Sequence, residues 1–205
     1  MTESSLHPSV VRNHAPITAV LRRHITANSR VLELGSGDGG RIELLKDDLD
    51  FACWQASDVA TAMPALAARI AQLADDRVLA PLHLSIGRSD WPRATFDAVV
   101  TVNVLHIMHG DTVPDLFNGA GQCLGPGGVL CIYGPFSVGG SHISDGNARF
   151  DAALRASNEG QGIRDLDAVT AMASNAGFRL AWRYAMPANN LLLVFALDQA
   201  PTVAV

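Results

Sequence analysis

A glycine-rich turn between a short apolar strand and a helix constrains the fold of this chain more than any other part of its sequence. Residues Ser29–Gly40 read S-R-V-L-E-L-G-S-G-D-G-G, and apolar side chains recur at helical spacing directly after them. Glycine tolerates the backbone angles of a tight turn, and its missing side chain lets a ligand approach the main chain. The pattern predicts a buried parallel strand, a turn and a helix whose N-terminal amides can bind a polar or anionic group.

The acidic Glu33 inside the strand narrows the kinds of ligand that this turn can bind. No Lys-Ser or Lys-Thr pair follows the glycines, which disfavours a phosphate-binding P-loop. Glu33 lies two residues before Gly35, at a position where a purely structural strand prefers Val or Ile. This E-x-G-x-G pattern resembles motif I of the class I S-adenosylmethionine (SAM) methyltransferases, in which such an acid helps to hold the methionine end of the cofactor through ordered water. The motif alone leaves open a Rossmann-type turn that binds NAD or no ligand.

The composition predicts one α/β domain over residues 1–205, with residues 1–9 flexible and an N-terminal cap helix within residues 10–27. Of the 205 residues, 48% are hydrophobic and 17% are charged, as in compact domains. The net charge of -5 and the lack of a Lys or Arg block disfavour nucleic acid as a partner. The N-terminus lacks a signal-peptide pattern, and the longest apolar run, Leu191–Leu197, is too short to span a bilayer. We therefore expect a cytoplasmic protein without a membrane partner, of unspecified oligomeric state.

The three cysteines predict neither a disulfide framework nor a metal site. Cys53, Cys123 and Cys131 are odd in number and lack paired C-x-x-C spacing. Each lies in an apolar context, so we expect three small buried side chains.

The remaining segments predict a three-layer, Rossmann-like α/β fold. Beyond the first strand, apolar runs predict strands over Phe51–Ser57, Leu82–Ile86, Thr95–Val102, Val129–Tyr133, Arg179–Met186 and Leu191–Leu197. Helical spacing predicts helices over Pro16–Ala27, Met63–Ala74, Val113–Leu124, Asn147–Ser157 and Asp165–Ala176. The M-P-A-N-N turn joins the last two strands as an antiparallel hairpin. Seven strands with that ending match the mostly parallel methyltransferase sheet of order 3-2-1-4-5-7-6, whereas a NAD-binding Rossmann domain ends differently.

Polar residues follow the second and third predicted strands. Open parallel sheets bind nucleotides beyond the carboxyl ends of their strands, which is where these residues are predicted to lie. Asp58 lies 21 residues beyond Gly37, close to the spacing at which an acid binds a cofactor ribose. Capping of the next helix is the alternative role for this residue. At the third strand, Ser85 or Asp90 is the candidate for an adenine contact, and Trp91 either stacks on the base or packs a corner.

The ends of the fourth and fifth predicted strands supply candidate catalytic residues. Asn103 and His106 follow the fourth strand; Asn offers a donor and an acceptor, and His accepts a proton near neutral pH. A structural role is the alternative for His106. After the fifth strand, the Gly- and Ser-rich stretch that carries Tyr133 and Phe136 is predicted to be a loop that forms a substrate wall or lid.

The chain as a whole resembles the methyltransferase-like protein 26 family, also called domain of unknown function 938. The resemblance extends from about Arg12 to Leu197 and depends on short motifs in the same order. They are R-N-x-x-P-I (Arg12–Ile17), V-L-E-L-G-S-G (Val31–Gly37), W-Q-A-S-D (Trp54–Asp58), N-x-x-H-I (Asn103–Ile107), Y-G-P-F (Tyr133–Phe136), G-I-R-D (Gly162–Asp165) and M-P-A-N-N (Met186–Asn190). It implies a SAM-binding fold and methyltransferase activity. It implies no particular substrate, because the family's substrates are mostly unassigned.

The chain also departs from the family pattern near the expected cofactor. The family continues G-S-G-T-G-Q-H after the first strand, whereas this chain reads G-S-G-D-G-G-R. Asp38 therefore places a negative charge beside the expected methionine site, and the Gln-His pair is missing. The family's L-D pair at the third strand has become Leu84-Ser85.

These positions and the resemblance together assign the candidate site. His106 is the predicted base or hydrogen-bonding orienter, with Asn103 and Tyr133 positioning the acceptor. The predicted SAM-binding residues are Glu33, Gly35, Ser36, Gly37, Asp58, Ser85, Asn103, Asn13 and Arg12. The predicted lining of a small-molecule acceptor pocket is Tyr133, Phe136, Asn147 and Arg164, and Arg12 and Asn13 can belong to this pocket as well.

Three readings other than methyl transfer to a small molecule stay open. The same fold can direct the amine of SAM onto its own methionine chain, which would release methylthioadenosine, and the altered glycine turn motivates this cyclase or lyase alternative. A non-catalytic SAM- or partner-binding domain is the second alternative, and an NAD oxidoreductase is the third.

Overall fold

A computed structural model describes residues 6–93 and 95–198 and shows a three-layer α/β fold. The helices are α1 (Pro8–Leu21), α2 (Gly40–Asp48), α3 (Met63–Leu73), α4 (Val113–Cys123), α5 (Asp145–Ser157) and α6 (Leu166–Asn175). The strands are β1 (Arg30–Leu34), β2 (Cys53–Asp58), β3 (Val78–His83), β4 (Phe96–Val102), β5 (Leu124–Val138), β6 (Ser141–His142), β7 (Arg164–Asp165), β8 (Phe178–Met186) and β9 (Asn190–Leu197). Residues 1–5, which we predicted to be flexible, lie outside the described part of the chain.

The sheet has the predicted order and the predicted antiparallel ending. Its main path is β3-β2-β1-β4-β5-β9-β8, and the first five of these strands pair in parallel. β9 is antiparallel to both β5 and β8. Since β8 and β9 correspond to the sixth and seventh predicted strands, this path is the predicted order 3-2-1-4-5-7-6. The two-residue strands β6 and β7, which pair with the end of β5, were not predicted.

The sheet separates two apolar cores. On one face, α1, α2 and α3 pack against β1, β4 and β5, and Ile17, Leu45 and Leu66 are among the buried contacts. On the other face, α4 and α6 pack through residues such as Phe117 and Val169. Burial of each such side chain stabilises the fold by about 1.5–3 kcal/mol. Because β1 is covered on both faces, its C-terminal end holds the glycine turn in a fixed place.

Helix α1 begins earlier and ends earlier than predicted. We expected Pro16 in the first turn of a helix that runs to Ala27, but the helix spans Pro8–Leu21 with Pro16 in its interior. Pro8 occupies the first turn, where the missing N–H costs nothing, and His7 caps it by accepting a hydrogen bond from Ser9 N. The interior proline removes one helical hydrogen bond, yet the packed face of α1 retains the helix. Residues 12 and 13 are therefore helical.

Strand β5 extends well beyond the predicted Val129–Tyr133, so the predicted lid is wrong. The Y-G-P-F-S stretch continues the strand and pairs with three others: Pro135 with Asn190 of β9, Phe136 with Arg164 of β7, and residue 137 with residue 142 of β6. Because these partners use its backbone groups, the stretch is a fixed part of the sheet. Glycine favoured a loop in the sequence, and long-range pairing overrode that preference.

A smaller difference concerns the position of β3. β3 spans Val78–His83 instead of the predicted Leu82–Ile86, which leaves residue 85 in the loop beyond the strand. In β8 the pairing register shifts between Leu180 and Trp182, and Trp182 is 47% exposed. All three cysteines are free and buried, as predicted. Within residues 6–93 and 95–198, no helix is long and apolar enough to cross a membrane.

Candidate functional site at the carboxyl ends of the parallel strands

The glycine turn after β1 leaves part of its backbone open. Gly35 and Gly37 have φ values of +70° and +61°, which other residues adopt at a cost. A Cβ at Gly35 would lie 2.3 Å from Val104 Cγ2, so only glycine fits there. A Cβ at Gly37 would have no atom within 4 Å. The main chain at Gly37 is thus accessible to a ligand, as its predicted role requires.

Glu33 is a buried carboxylate with several partners. It is 2% exposed, and its Oε2 accepts hydrogen bonds from Ser36 Oγ (3.0 Å) and from the indole Nε1 of Trp54 (3.1 Å). Arg41 Nε lies 3.8 Å from its Oε1. Burial raises the pKa of Glu33 above its ordinary value, although Arg41 and the two hydrogen bonds oppose this effect. Ser36 also accepts from Ser57 N, so its side chain serves the turn itself.

The sequence interpretation missed Trp54 and Arg41 as partners of Glu33. Trp54 pairs with Val31 across β1 and β2, so side-chain alternation places it on the same face of the sheet as Glu33. That signal was available once the strands were paired. Arg41 reaches Glu33 from the first turn of α2, and no sequence pattern indicates that contact.

Asp58 joins the end of β2 to the glycine turn. Its Oδ2 accepts a hydrogen bond from Gly37 N at 2.6 Å, and its Oδ1 accepts one from Val59 N at 2.7 Å. The alternative role as a helix cap is wrong, because α3 begins at Met63 with Ala62 as its N-cap. The carboxylate retains further lone pairs for hydroxyl donors.

Ser85 is the candidate adenine residue that lies near Asp58. Leu84 N donates to the Asp58 carbonyl at 2.9 Å, which fixes Ser85 beside the end of β2. Trp91 instead packs against α4, since a Cβ at Gly119 would lie 1.7 Å from its ring. The packed-corner interpretation of Trp91 is therefore the correct one. Asp90 lines a depression against the same helix.

Asp38 forms an ion pair with Arg69 of α3. Arg69 Nη2 lies 2.8 Å from its Oδ2, and Gly40 N donates to its Oδ1 at 3.0 Å. Arg69 also pairs with Glu43 and donates to the Asp38 carbonyl. Asp38 is thus part of an ion-pair group beside the expected methionine site, in which one arginine of α3 pairs with two carboxylates.

Asn103 and His106 lie together beyond β4, beside β5. Asn103 has a φ of +62°, an uncommon conformation that asparagine tolerates better than most residues, and its N–H donates to the Tyr133 carbonyl at 2.9 Å. A Cβ at Gly134 would lie 3.6 Å from His106 Nδ1 and 3.9 Å from Asn103 Oδ1. Both side chains therefore lie beside Gly134 of β5, at ordinary van der Waals distance from a Cβ at that position.

His106 is neutral at physiological pH. It is 6% exposed, and its ring meets Phe150 of α5 edge-on at 5.3 Å. Burial, with the nearby charge of Arg164, lowers the pKa of His106 from 6.5 to about 4. A neutral imidazole can accept a hydrogen bond from a ligand hydroxyl, but it takes up a full proton reluctantly.

Arg164 holds the turn that carries His106, whereas its place in the substrate lining stays a prediction. Its guanidinium donates to the carbonyls of Leu105 (3.2 Å), Met108 (2.7 Å) and Gly160 (2.7 Å). These contacts use the Nε and Nη2 donors of the guanidinium. Arg164 therefore positions residues 105–108.

Tyr133 and Asn13 lie on the α1 face of the site. Tyr133 is 2% exposed, and its hydroxyl accepts a hydrogen bond from Asn190 Nδ2 at 3.0 Å. Burial raises the pKa of this hydroxyl, although the Asn190 hydrogen bond and the charges of Arg41 and Arg12 oppose the shift. Asn13 is buried, and its Oδ1 accepts from Arg12 Nε at 3.3 Å. The structure thus brings both predicted α1 residues to this side.

Two other predicted lining residues serve the fold. Phe136 is fully buried in the core beside α6, so it supplies packing and its predicted pocket role is wrong. Asn147 is buried at the start of α5, and its Nδ2 donates to the Asn189 carbonyl at 3.2 Å. It thereby ties α5 to the turn before β9.

A separate surface depression of about 710 Å³ lies at the opposite end of the sheet. Its lining includes Arg22, Thr26, Lys46 and Arg77, which surround the start of β1. None of the candidate site residues lines it. Ligands of open parallel sheets bind beyond the carboxyl ends of the strands, so size alone does not identify the site.

Comparison with solved structures places this fold among methyltransferases. An O-methyltransferase family protein from Burkholderia thailandensis superimposes with a TM-score of 0.78 at 17% identity, over 94% of this chain and 58% of the other. An O-methyltransferase family 2 protein from Planctomyces limnophilus, in complex with apigenin, gives 0.76 at 17% identity, over 92% and 58%. Human N-acetylserotonin methyltransferase in complex with SAM gives 0.70 at 14% identity, over 82% and 47%. The chain thus spans about half the length of these neighbours and shares their fold.

A family model gives a closer assignment. The model described as "Protein of unknown function (DUF938)" matches residues 4–197, which includes every candidate site residue. The order of short motifs along the chain had led to the same family. The chain therefore belongs to the DUF938 family of proteins of unknown function.

Proposed function

We propose that this protein is a SAM-dependent methyltransferase that acts on a small-molecule acceptor. The observation that carries the proposal is the 2.6 Å hydrogen bond between Asp58 Oδ2 and Gly37 N. It joins the end of β2 to the glycine turn after β1, so one ligand can contact the side of Gly37 without a side chain and the Asp58 carboxylate together. This arrangement suits a nucleoside with an attached polar chain.

The residues present fit SAM along its length. The Asp58 carboxylate would accept the ribose hydroxyls, and Ser85 would lie on the adenine side. The open backbone at Gly37 and the buried carboxylate of Glu33 would face the methionine portion, with Asn13 and Arg12 of α1 nearby. The structural neighbours support the choice of SAM over NAD, since one of them is in complex with SAM.

SAM, when bound, supplies a methyl group on a sulfonium that is already a good electrophile. The chain's own residues then have to orient the acceptor and exclude water, which accounts for much of the acceleration in such transfers. His106 is neutral, so it can accept a hydrogen bond from an acceptor hydroxyl at pH 7. Its lowered pKa favours an orienting role over storage of the proton. Asn103 and Tyr133 would position the acceptor from β4 and β5.

A small-molecule acceptor agrees with the site and with one neighbour. The Planctomyces protein holds apigenin, and no block of basic residues in this sequence indicates nucleic acid. Membership of the methyltransferase-like protein 26 group remains part of the proposal and depends on the motif order. The intramolecular cyclase stays an alternative, because Arg69 pairs with both Asp38 and Glu43 and leaves this group of charges negative.

The test uses native protein and two matched variants. Binding of S-adenosylhomocysteine is measured by calorimetry for the native chain, for Asp58→Asn and for Asp76→Asn, which alters an exposed acid outside the site. We expect Asp58→Asn to weaken binding about tenfold or more, since hydrogen bonds to charged groups contribute about 1.5–3 kcal/mol, and Asp76→Asn to bind as the native chain does. Equal binding by all three would contradict the proposed site.

Product analysis distinguishes the alternatives. The protein is incubated with SAM, with and without cell extract, and the nucleosides are followed by mass spectrometry. S-adenosylhomocysteine that requires extract supports methyl transfer, whereas methylthioadenosine from SAM alone supports the cyclase. Binding without either product would identify a non-catalytic SAM-binding domain.

A further inference from the structure

A buried guanidinium with an unpaired donor lies beside Glu33. Arg41 in the first turn of α2 is 8% exposed, and its Nη1 has no hydrogen-bond partner among the described residues. Its Nε is 3.8 Å from Glu33 Oε1, which is too far for a hydrogen bond. A buried donor without a partner is costly, and a charged one more so. The protein's own groups therefore leave Arg41 incompletely satisfied.

The guanidinium lies on the α1 and α2 side of the sheet, near Glu33 of β1 and within electrostatic range of Tyr133 of β5. Val31 and Tyr133 belong to the same core cluster under α1 and α2, and strand alternation places Glu33 on that face as well. The charge of Arg41 acts on the Tyr133 hydroxyl from this position. Under the proposed function, this is also the side of the site that faces the methionine portion of SAM.

The neighbouring acids Asp38 and Glu33 leave the Nη1 of Arg41 without a hydrogen-bond partner in the described part of the chain. Asp38 is paired with Arg69, and the Oε2 of Glu33 is used by Ser36 and Trp54. A guanidinium presents a planar fork of donors that matches a carboxylate with two parallel hydrogen bonds. Glu33 beside it can accept from an ammonium group. The two side chains together complement an α-amino-acid group with both its charges.

We propose that Arg41 is a carboxylate-binding residue, and that an α-amino-acid group binds between Arg41 and Glu33. The carboxylate can belong to the methionine portion of SAM or to the acceptor. The choice between these sources rests on the proposed function, whereas the carboxylate site itself does not.

Formate is the probe for the carboxylate site. Thermal unfolding midpoints are measured in sodium formate and in sodium chloride of equal ionic strength, for the native chain, Arg41→Met, Arg41→Lys and the exposed control Arg183→Met. We expect formate to raise the midpoint of the native chain and of Arg183→Met by about 2–4 °C. Arg41→Lys should respond less, because lysine lacks the fork, and Arg41→Met should not respond. An equal response of the native chain and both Arg41 variants would overturn the proposal.

The same assay with bound nucleosides identifies the source of the carboxylate. Saturating S-adenosylhomocysteine should abolish the formate response if its own carboxylate occupies Arg41, whereas its decarboxylated analogue should leave the response intact. A response that persists with both nucleosides assigns the site to the acceptor. If S-adenosylhomocysteine fails to bind while the Arg41-dependent response remains, the proposed function fails and the carboxylate site stands.

Discussion

Acidification should destabilise the fold through His106. In the folded state its pKa is about 4, against an ordinary value of 6.5. Between these values the unfolded chain binds a proton at this residue and the folded chain does not. Stability contributed by the neutral residue is therefore complete above pH 6.5 and is lost as the pH falls toward 4.

The size of the effect follows from the same two values. One pKa unit corresponds to about 1.4 kcal/mol, so the full loss approaches about 3 kcal/mol below pH 4. Over the accessible interval from pH 7.5 to pH 5, linkage gives a loss of about 2 kcal/mol. Other groups titrate in this interval too, so the native chain alone cannot isolate the contribution of His106.

Urea unfolding of matched variants isolates the contribution of His106 to the pH dependence of stability. The free energy of unfolding is measured at pH 7.5 and pH 5 for the native chain, for His106→Gln, and for His109→Gln, whose native side chain is 54% exposed. We expect the pH-dependent loss to be about 2 kcal/mol smaller in His106→Gln, and unchanged in His109→Gln. An equal loss in the native chain and His106→Gln, or a proton NMR titration of His106 near pH 6.5, would refute the reasoning.

Three further substitutions test how the site is built. Gly35→Ala should lower the free energy of unfolding by about 3 kcal/mol or more, because its Cβ would meet Val104 at 2.3 Å. The control Gly127→Ala has a φ of +78° and no atom within 4 Å of its Cβ, so it should lower this free energy by only about 1–2 kcal/mol. Urea unfolding measures both variants. Asn103→Ala should lower the free energy of unfolding by about 1 kcal/mol, because residue 103 has a φ of +62°. Asn103→Gly should restore the stability but not the turnover. Turnover by the glycine variant would contradict a role for the side chain. Arg164→Met should accelerate hydrogen exchange of the turn after β4, and it should lower kcat more than it alters the affinity for S-adenosylhomocysteine. Unchanged hydrogen exchange would count against the positioning role of Arg164.

Most of the fold could be predicted from the local pattern of apolar residues, glycine and proline. Apolar runs bounded by glycine and proline identified all seven main strands, because buried parallel strands exclude polar residues on both faces. The hairpin at M-P-A-N-N identified the antiparallel ending. Boundaries were less certain where local preference and pairing disagreed, as in α1 with its interior proline and in β5 with its glycines.

In the candidate site too, local pattern predicted some features and long-range contacts decided the others. Glu33, Gly35, Gly37 and Asp58 could be predicted, since each follows from its spacing relative to a strand end. Their partners could not be predicted, because a hydrogen bond such as that from Trp54 to Glu33 joins residues 21 positions apart. Arg164 was assigned to the substrate, yet it binds a carbonyl 59 residues away.

The sequence by itself determined the fold class, the family and the edge of the sheet where the candidate site lies. These depend on the periodicity of apolar residues and on glycine at a strand end, which are local properties. Only the tertiary structure decided that Asp38 pairs with Arg69, that Arg164 supports the turn of His106, and that Arg41 is buried with one donor unpaired among the described residues. Charge and burial depend on which distant segments pack together, and the chain's local pattern does not specify those contacts.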